Sequence, residues 1–400
     1  MRKTTTVLLL LGTTVGAILS CSRKDTDPSA PTATISYPAV EAAFGNSINL
    51  NALANYAAQG KPAYITKDNG VNNPISNAKA TLGRVLFYDK DLSIDNTVAC
   101  ASCHKQQFAF SDTAFVSAGV AGGSTGRHSM RLVNARFANE VRFFWNKRAA
   151  TLEQQTTAPI QDHAEMGFSG QSGRPNLEAL LVKLQGIGYY KELFQFTYGD
   201  QHISESRLQE CLAQFVRSIQ SFDSRYDAGR ATAPNDGAPF ANFTAQENQG
   251  KALFLQPPRF GAGGQRTGGG LGCAGCHAAP EFDIDPQSRN NGIIATIGSS
   301  ALDLNNTRAP SLRNLMRADG TLNGPMMHTA NFRSIQQVLG HYGNISAAPG
   351  NTNLDPRLRP GGNPQQLNLT GAEIAAVTAF LQTLSGTNVY TDAKWSNPFR

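Results

Sequence analysis

Little in this 400-residue chain suits a membrane span, a nucleic-acid partner or a disulfide scaffold. Its leading apolar run, Val7 to Leu19, is too short to cross a bilayer comfortably. Basic residues are scattered rather than clustered. The formal charge of +6 falls to +4 once Arg2 and Lys3 of the leader are removed, so nucleic acid is not an expected partner. Cysteine is scarce, at six residues, and alternating strand patterns are scarce too, which argues against a β fold.

Four of the six cysteines lie in two copies of one pentapeptide, Cys100-Ala101-Ser102-Cys103-His104 and Cys273-Ala274-Gly275-Cys276-His277. Cys-x-x-Cys-His sets two thiols one helical turn apart for thioether bonds to haem vinyl groups, and the adjacent histidine falls beneath the ring as proximal iron ligand. A structural zinc site would pool its Cys-x-x-Cys pairs into one tetrahedral cluster with no need for histidine after each pair. A thioredoxin-type redox pair follows a strand, and neither copy does. The pentapeptides therefore point to two covalently bound haem c groups.

The two remaining cysteines fit this picture without a disulfide. Arg2 and Lys3 before the apolar run, which ends in small residues, read as a secretory signal over residues 1–20 and an extracytoplasmic destination, the periplasm of a bacterium, where haem c is attached. Cys21 follows Ile18-Leu19-Ser20 in an arrangement similar to a lipoprotein cleavage site, so it is a candidate for lipidation and for tethering the chain to a membrane. Cys211 falls on the helical stripe Leu208, Cys211, Leu212, Phe215, Val216, Ile219 and reads as a buried thiol.

Length allows two domains. Residues 21–45 read as a tether, its Ser, Thr, Pro and Asp-rich part running from Ser22 to about Pro38. Residues 46–240 form the first haem domain and 241–400 the second, with an Ala, Pro, Gly and Asp-rich linker over Ala228–Asn242. Helix starts are marked at Ser204, at Thr244-x-x-Glu247 and at Thr370-x-x-Glu373. Phe260–Gly272 and Ala347–Gln366 are long irregular stretches, which c-type domains tolerate because haem supplies much of their apolar core. The expected fold is mainly α, with two cytochrome-c-like haem domains and long irregular loops.

Leu82-Gly83-Arg84-x-Leu86-Phe87-Tyr88-Asp89, Phe144-Trp145 with Arg148, Pro159, and Glu165-Met166-Gly167 resemble the bacterial dihaem cytochrome c peroxidase family, which includes the MauG-type enzymes. In the second half, Ala309-Pro310-Ser311-Leu312-Arg313-Asn314 and Met327-His328 are similar to that family's segments around its second haem. The likeness covers roughly residues 74 to 386. It implies that peroxide binds at the N-terminal haem, ligated by His104, and that the C-terminal haem, ligated by His277, receives electrons from a small redox protein, a cytochrome c or cupredoxin. It also implies that Trp145 lies between the haems, that Glu165 is the distal acid, and that Gln155 and Pro159 shape the distal pocket.

Departures from the family pattern carry expectations as well. The loop Ser117–Gly123 holds no histidine where the best-known peroxidases have a dissociable ligand, so the first iron is expected to be open, as in MauG-type members. His128 stands where the family has an asparagine that helps hold Ca²⁺. Calcium thus loses a side-chain ligand and would depend on carbonyls near Ala309 and Pro310, while His128 offers a movable iron ligand or, the favoured reading, a hydrogen bond near the haem propionates. Tyr342 falls on the position of the second haem's sixth ligand, with Met326, Met327 and His341 as competitors. Three functions follow: a cytochrome-c peroxidase reducing hydrogen peroxide to water, a MauG-like oxidase acting on a protein or organic substrate, and a non-catalytic dihaem electron-transfer protein. The intact mass of the mature protein should exceed that of the processed polypeptide by two haems; an increment of one or none would remove the basis for all three.

Overall fold

Local sequence signals start the helices of this fold. In the computed structural model, which describes residues 35–399, Ser204 caps the helix Glu205–Ser218 by accepting from Arg207 N at 3.4 Å. Thr244 and Glu247 close a reciprocal capping box on the helix Ala245–Leu255, as do Thr370 and Glu373 on Gly371–Gln382. Each oxygen satisfies a backbone N–H that the first helical turn leaves unpaired.

The helices are α1 (Pro38–Phe44), α2 (Asn77–Tyr88), α3 (Cys100–Cys103), α4 (Leu152–Gln161), α5 (Leu177–Gln185), α6 (Gly188–Tyr198), α7 (Glu205–Ser218), α8 (Arg225–Thr232), α9 (Ala245–Leu255), α10 (Ile335–Gly343) and α11 (Gly371–Gln382). Among the described residues, sheet is confined to three antiparallel two-stranded hairpins: β1 (Pro258–Phe260) with β2 (Arg266–Gly269), β3 (His277–Ala278) with β4 (Asp283–Ile284), and β5 (Ala295–Thr296) with β6 (Ser299–Leu302). The fold is mainly α, and among the described residues no helix is long and apolar enough to cross a membrane.

Two larger apolar cores form. The first is drawn from Val40 to Ile219 and the second from Tyr226 to Leu384. Each is centred on a helix pair that crosses at a glycine: α2 meets α7 where a Cβ on Gly83 would lie 2.0 Å from Cys211 O, and α9 meets α11 where a Cβ on Gly250 would lie 1.9 Å from Ala376 O. The two crossings are alike in that a glycine lets each helix pair approach backbone to backbone. The stripe on α7 is buried as expected, with Leu208, Cys211 and Phe215 fully enclosed and Cys211 Sγ 3.3 Å from Tyr198 Oη.

Three segments differ from the sequence reading. The signal, Cys21 and most of the tether lie outside the described residues, and the tether's last part is not extended: Pro38–Phe44 is helix α1, with Val40 and Phe44 in the first core. The expected linker Ala228–Asn242 overlaps α8 and buries Phe240 against Tyr226, their ring centroids 5.4 Å apart. Gly and Pro mark where the chain turns, not whether the turn is packed. Phe260–Gly272 contains most of the β1–β2 hairpin.

From Tyr37 on, the chain forms one compact unit. The C-terminal tail returns to the first core, where Val389 and Trp395 are buried. The fully buried Arg313 of the second half binds both carboxylate oxygens of Asp227 at 2.9 Å and donates to Pro280 O, so Asp227 balances this enclosed charge even though Arg313 Nε has no partner among the described residues. Gly83→Ala forces a methyl into backbone at the α2–α7 crossing and should cost about 1–3 kcal/mol or more; a thermal melt of the haem-loaded protein should show a clearly lower Tm, and an unchanged Tm would refute the close-approach account.

Candidate active site

The first pentapeptide is helical. Cys100 and Cys103 close the single turn of α3, and Ser102 Oγ accepts from Ala99 N at 3.0 Å. His104 ends the turn, its Nδ1 lying 3.3 Å from Phe110 O. That carbonyl is aimed by two consecutive left-handed residues, Ala109 (φ 54°) and Phe110 (φ 58°), a conformation rare outside glycine and common where geometry serves a site. With Nδ1–H donating to the carbonyl, the Nε2 lone pair is left for a metal. Burial pushes His104 down to about 4, so the ring is neutral as a ligand must be, and pushes the Cys100 thiol up to about 12. Both cysteines are free thiols.

The second pentapeptide takes another local form, a 3₁₀ turn over Cys273–Gly275 running into β3 at His277. Burial pushes His277 down to about 4 as well, and its Nδ1 is enclosed without a partner. Cys273, Cys276 and His277 open on a mostly apolar cavity of about 680 Å³. On its other side Asn291 Nδ2 donates both to Tyr342 Oη at 3.0 Å and to Met327 Sδ at 3.4 Å, bringing two of the candidate ligand atoms to one point. Met327 holds φ 69°, an uncommon conformation for an unbranched side chain. Met326 also lines the cavity but packs into the second core, and His341 is engaged with Asn291 O at 2.9 Å through Nε2.

Trp145 stitches the segments around the two pentapeptides together. Its Nε1 donates to His128 O at 2.8 Å, its carbonyl accepts from Thr307 N and Arg308 N at 3.0 Å each, and its ring lies 6.1 Å from that of His328. His128 N in turn donates to His328 O at 2.9 Å. Along this seam the cavity wall holds polar groups that the protein leaves unspent. His128 Nδ1 is 3.1 Å from Ala114 O, but its buried Nε2 has no partner, and neither has Arg308 Nε. Arg131 is buried against carbonyls of Ser311 and Arg313 with no carboxylate beside it, and burial pushes it down to about 10. An apolar cavity with a neutral imidazole on one wall, two free thiols and uncompensated buried cations fits a haem, whose macrocycle is apolar and whose edge carries carboxylates.

Glu165 follows α4 after a tight turn in which Asp162 Oδ1 accepts from Glu165 N at 3.1 Å. Its carboxyl has no hydrogen-bond or ion-pair partner among the described residues, and burial first, then the charge of Asp162, pushes it up to about 7 against the opposing pull of Arg148. Its charge is felt at both Cys100 and Cys103, which puts it on the first pentapeptide's side of the seam. The histidine-free loop holds it there. Val120 N donates to Glu165 O at 3.0 Å, and Gly119 and Gly123 lie so close to Ala164 O that a Cβ would come within 1.9 and 2.5 Å. Gln155 sits on α4, half-buried, four residues before Pro159, with no side-chain bond that would tie it elsewhere. Among the described residues no three His, Cys, Asp or Glu side chains gather to hold a metal ion.

The sequence reading did not single out Asn291, Arg131 or the two loop glycines as site residues. Arg131 three positions after His128 is the one signal that could have been used: a cation so near a haem-binding segment needs an anion.

Residues 77–233 match the sequence model of the di-haem cytochrome c peroxidase family. The methylamine utilization protein MauG of Methylophilus methylotrophus is 29% identical over 327 residues, covering 79% of this chain and 85% of its own. The cytochrome c551 peroxidase of Nitrosomonas europaea is 24% identical over 324 residues, covering 77% and 80%. Among solved structures, a MauG-like protein associated with microbial copper homeostasis superposes with a TM-score of 0.64 at 27% identity, covering 85% of this chain and 99% of that one. The dihaem peroxidase BthA of Burkholderia thailandensis shares the fold, with a TM-score of 0.55 at 22% identity over 80% and 88%. Over residues 77–233 and through relatives that match along most of its length, the chain is similar to the di-haem cytochrome c peroxidases, which are haem-dependent oxidoreductases.

Proposed function

We propose that this protein reduces hydrogen peroxide to water, taking two protons and two electrons per peroxide, with electrons entering at the haem held by His277 and passing to the one held by His104. Each haem is held by two thioethers, to Cys100 and Cys103 and to Cys273 and Cys276, in an N-terminal (46–240) and a C-terminal (241–400) haem domain. The leader and Cys21 support export to the periplasm with a lipid tether. The observation that carries the reading is Glu165: an unpartnered carboxyl on the first pentapeptide's side, with a pKa of about 7.

Bound haem supplies redox-active iron with a coordination position for peroxide. The rest is work for side chains. The Glu165 carboxylate accepts the proton from the peroxide oxygen that faces the haem and delivers it to the far oxygen, so that water leaves. A pKa near the working pH lets one group do both. His104 holds Nε2 toward the iron because Nδ1–H is committed to Phe110 O. Trp145, bonded into both halves, is suited to lie in the electron path between the haems. A purely electron-carrying protein has no use for an unpaired carboxyl in this position.

Because the base must be ionised, turnover at low peroxide should rise with pH through about 7 and then level off. Glu165→Gln should remove that limb and lower turnover by about 10²–10⁴-fold while leaving the ferric spectrum similar. Undiminished turnover would rule Glu165 out as the proton-transfer group.

For the second haem we propose Tyr342 as the sixth ligand, the choice that favours the MauG-type branch because a phenolate lowers the haem potential relative to thioether. Tyr342→Phe should then convert a low-spin ferric EPR signal to high-spin. If instead that signal is unmoved, and Met327→Leu abolishes a red-end sulfur charge-transfer band, Met327 is the ligand and Tyr342 merely supports Asn291.

A further inference from the structure

One amide reaches both Tyr342 and Met327. Asn291 Nδ2 donates to Tyr342 Oη at 3.0 Å and to Met327 Sδ at 3.4 Å, and all three residues line the second cavity. An amide nitrogen carries two hydrogens, so one is committed to each candidate ligand. The other end of the amide is held as well, since Asn291 Oδ1 accepts from Ile293 N at 3.2 Å. Its main chain is anchored too. Asn291 O accepts from His341 Nε2 at 2.9 Å, and the preceding Asn290, fully buried, exchanges two side-chain bonds of 2.9 Å with Asn351 and donates to Leu304 O at 3.1 Å. These bonds set where Nδ2 stands.

The two candidates are not equally free. Tyr342 lies on α10, its carbonyl accepts from Gln365 Nε2 at 2.8 Å, and it packs against Ile345, Leu354 and Leu358, so its phenol oxygen is delivered to one place. Met327 has a fixed main chain, with φ 69° and its carbonyl accepting from Ala330 N at 3.1 Å. Its side chain is another matter: an unbranched thioether with three rotatable bonds adapts to whatever space it finds. Among the described residues the Asn291 N–H is the one hydrogen bond on its sulfur. At Oη the same amide acts in the opposite sense, because a donor there steadies a negative oxygen, the form in which tyrosine binds iron.

We propose that Asn291 is a positioning residue that selects Tyr342 over Met327 as sixth ligand of the His277 haem, restraining the sulfur with one hydrogen while it steadies the phenol oxygen with the other. The inference rests on the reading above that Tyr342 is that ligand. Since a phenolate lowers the haem potential relative to a thioether, the amide also sets the potential.

The test reads ligation and potential in the haem-loaded protein without peroxide, so it is separate from turnover. Asn291→Leu removes both donors. The oxidised variant should lose part of its low-spin phenolate EPR signal, gain a red-end sulfur charge-transfer band with the sulfur-ligated share rising about tenfold or more, and show a higher midpoint potential at the second haem. Asn291→Asp should act in the same direction, because it keeps an oxygen for Ile293 N, offers no N–H and sets a repelling charge beside Oη; it carries the test if Asn291→Leu loads haem poorly. Adding Met327→Leu to Asn291→Leu should abolish the band and return the phenolate signal, a rescue that loosened packing would not give. If Tyr342→Phe abolishes the phenolate signal, yet neither Asn291 variant moves band or potential, or the added Met327→Leu fails to restore the signal, the selector role is overturned while Tyr342 remains the ligand. If Tyr342→Phe leaves the spectrum unmoved, both fall together.

Discussion

The seam at Trp145 is the constraint on which the rest of the molecule depends. Three hydrogen bonds, from Thr307 and Arg308 to Trp145 and from His128 to His328, bind backbone of one half to backbone of the other, and the Trp145 indole bond to His128 O ties Trp145 and His128 together within the first half. Buried backbone groups must find partners, and here each finds its partner across the seam, so neither half can shift without orphaning polar groups of the other. Arg313 on Asp227 and the tail residue Trp395 in the first core repeat the same logic at two further points. The distance between the pentapeptides is thus fixed by hydrogen-bond bookkeeping as much as by apolar packing.

That rigidity gives meaning to the groups left unsatisfied. Along one cavity wall His128 Nε2 and Arg308 Nε have no partner among the described residues, and the Arg131 charge has no carboxylate beside it. Buried polar atoms without partners are costly, and those that line one cavity mark where a bound group would supply them. The Glu165 carboxyl is the complementary case: its isolation, kept by the close approach of Gly119 and Gly123 to Ala164, is what lifts it toward neutrality. The loop that lacks a histidine therefore has a positive role, since side chains at those two glycines would push Glu165 away.

Much of the local structure was legible in the chain. Ser204, Thr244 with Glu247, and Thr370 with Glu373 start helices because capping is a contest among a few neighbouring atoms. The α7 stripe is buried because helical periodicity alone sets which side chains share a face. Composition misled where packing decides: Ala228–Asn242 reads as linker but carries α8 and the buried Phe240, and Pro38–Phe44 reads as tether but seats Val40 and Phe44 in the core. The charge meeting at the seam was illegible for the same reason, since Arg308 is far along the chain from Arg131.

By itself the sequence determined the chemistry at hand: two Cys-x-x-Cys-His units, an acidic residue in a recognisable run, and a loop without histidine, all properties of covalent structure and of contacts within a few residues. Tertiary structure decided how that chemistry is tuned. Only the fold could turn His104 Nδ1 to Phe110 O, gather Tyr342 and Met327 on one amide, and leave Glu165 unpaired. Desolvation and electrostatic pairing depend on what surrounds a group in space, and those surroundings come from residues hundreds of positions apart.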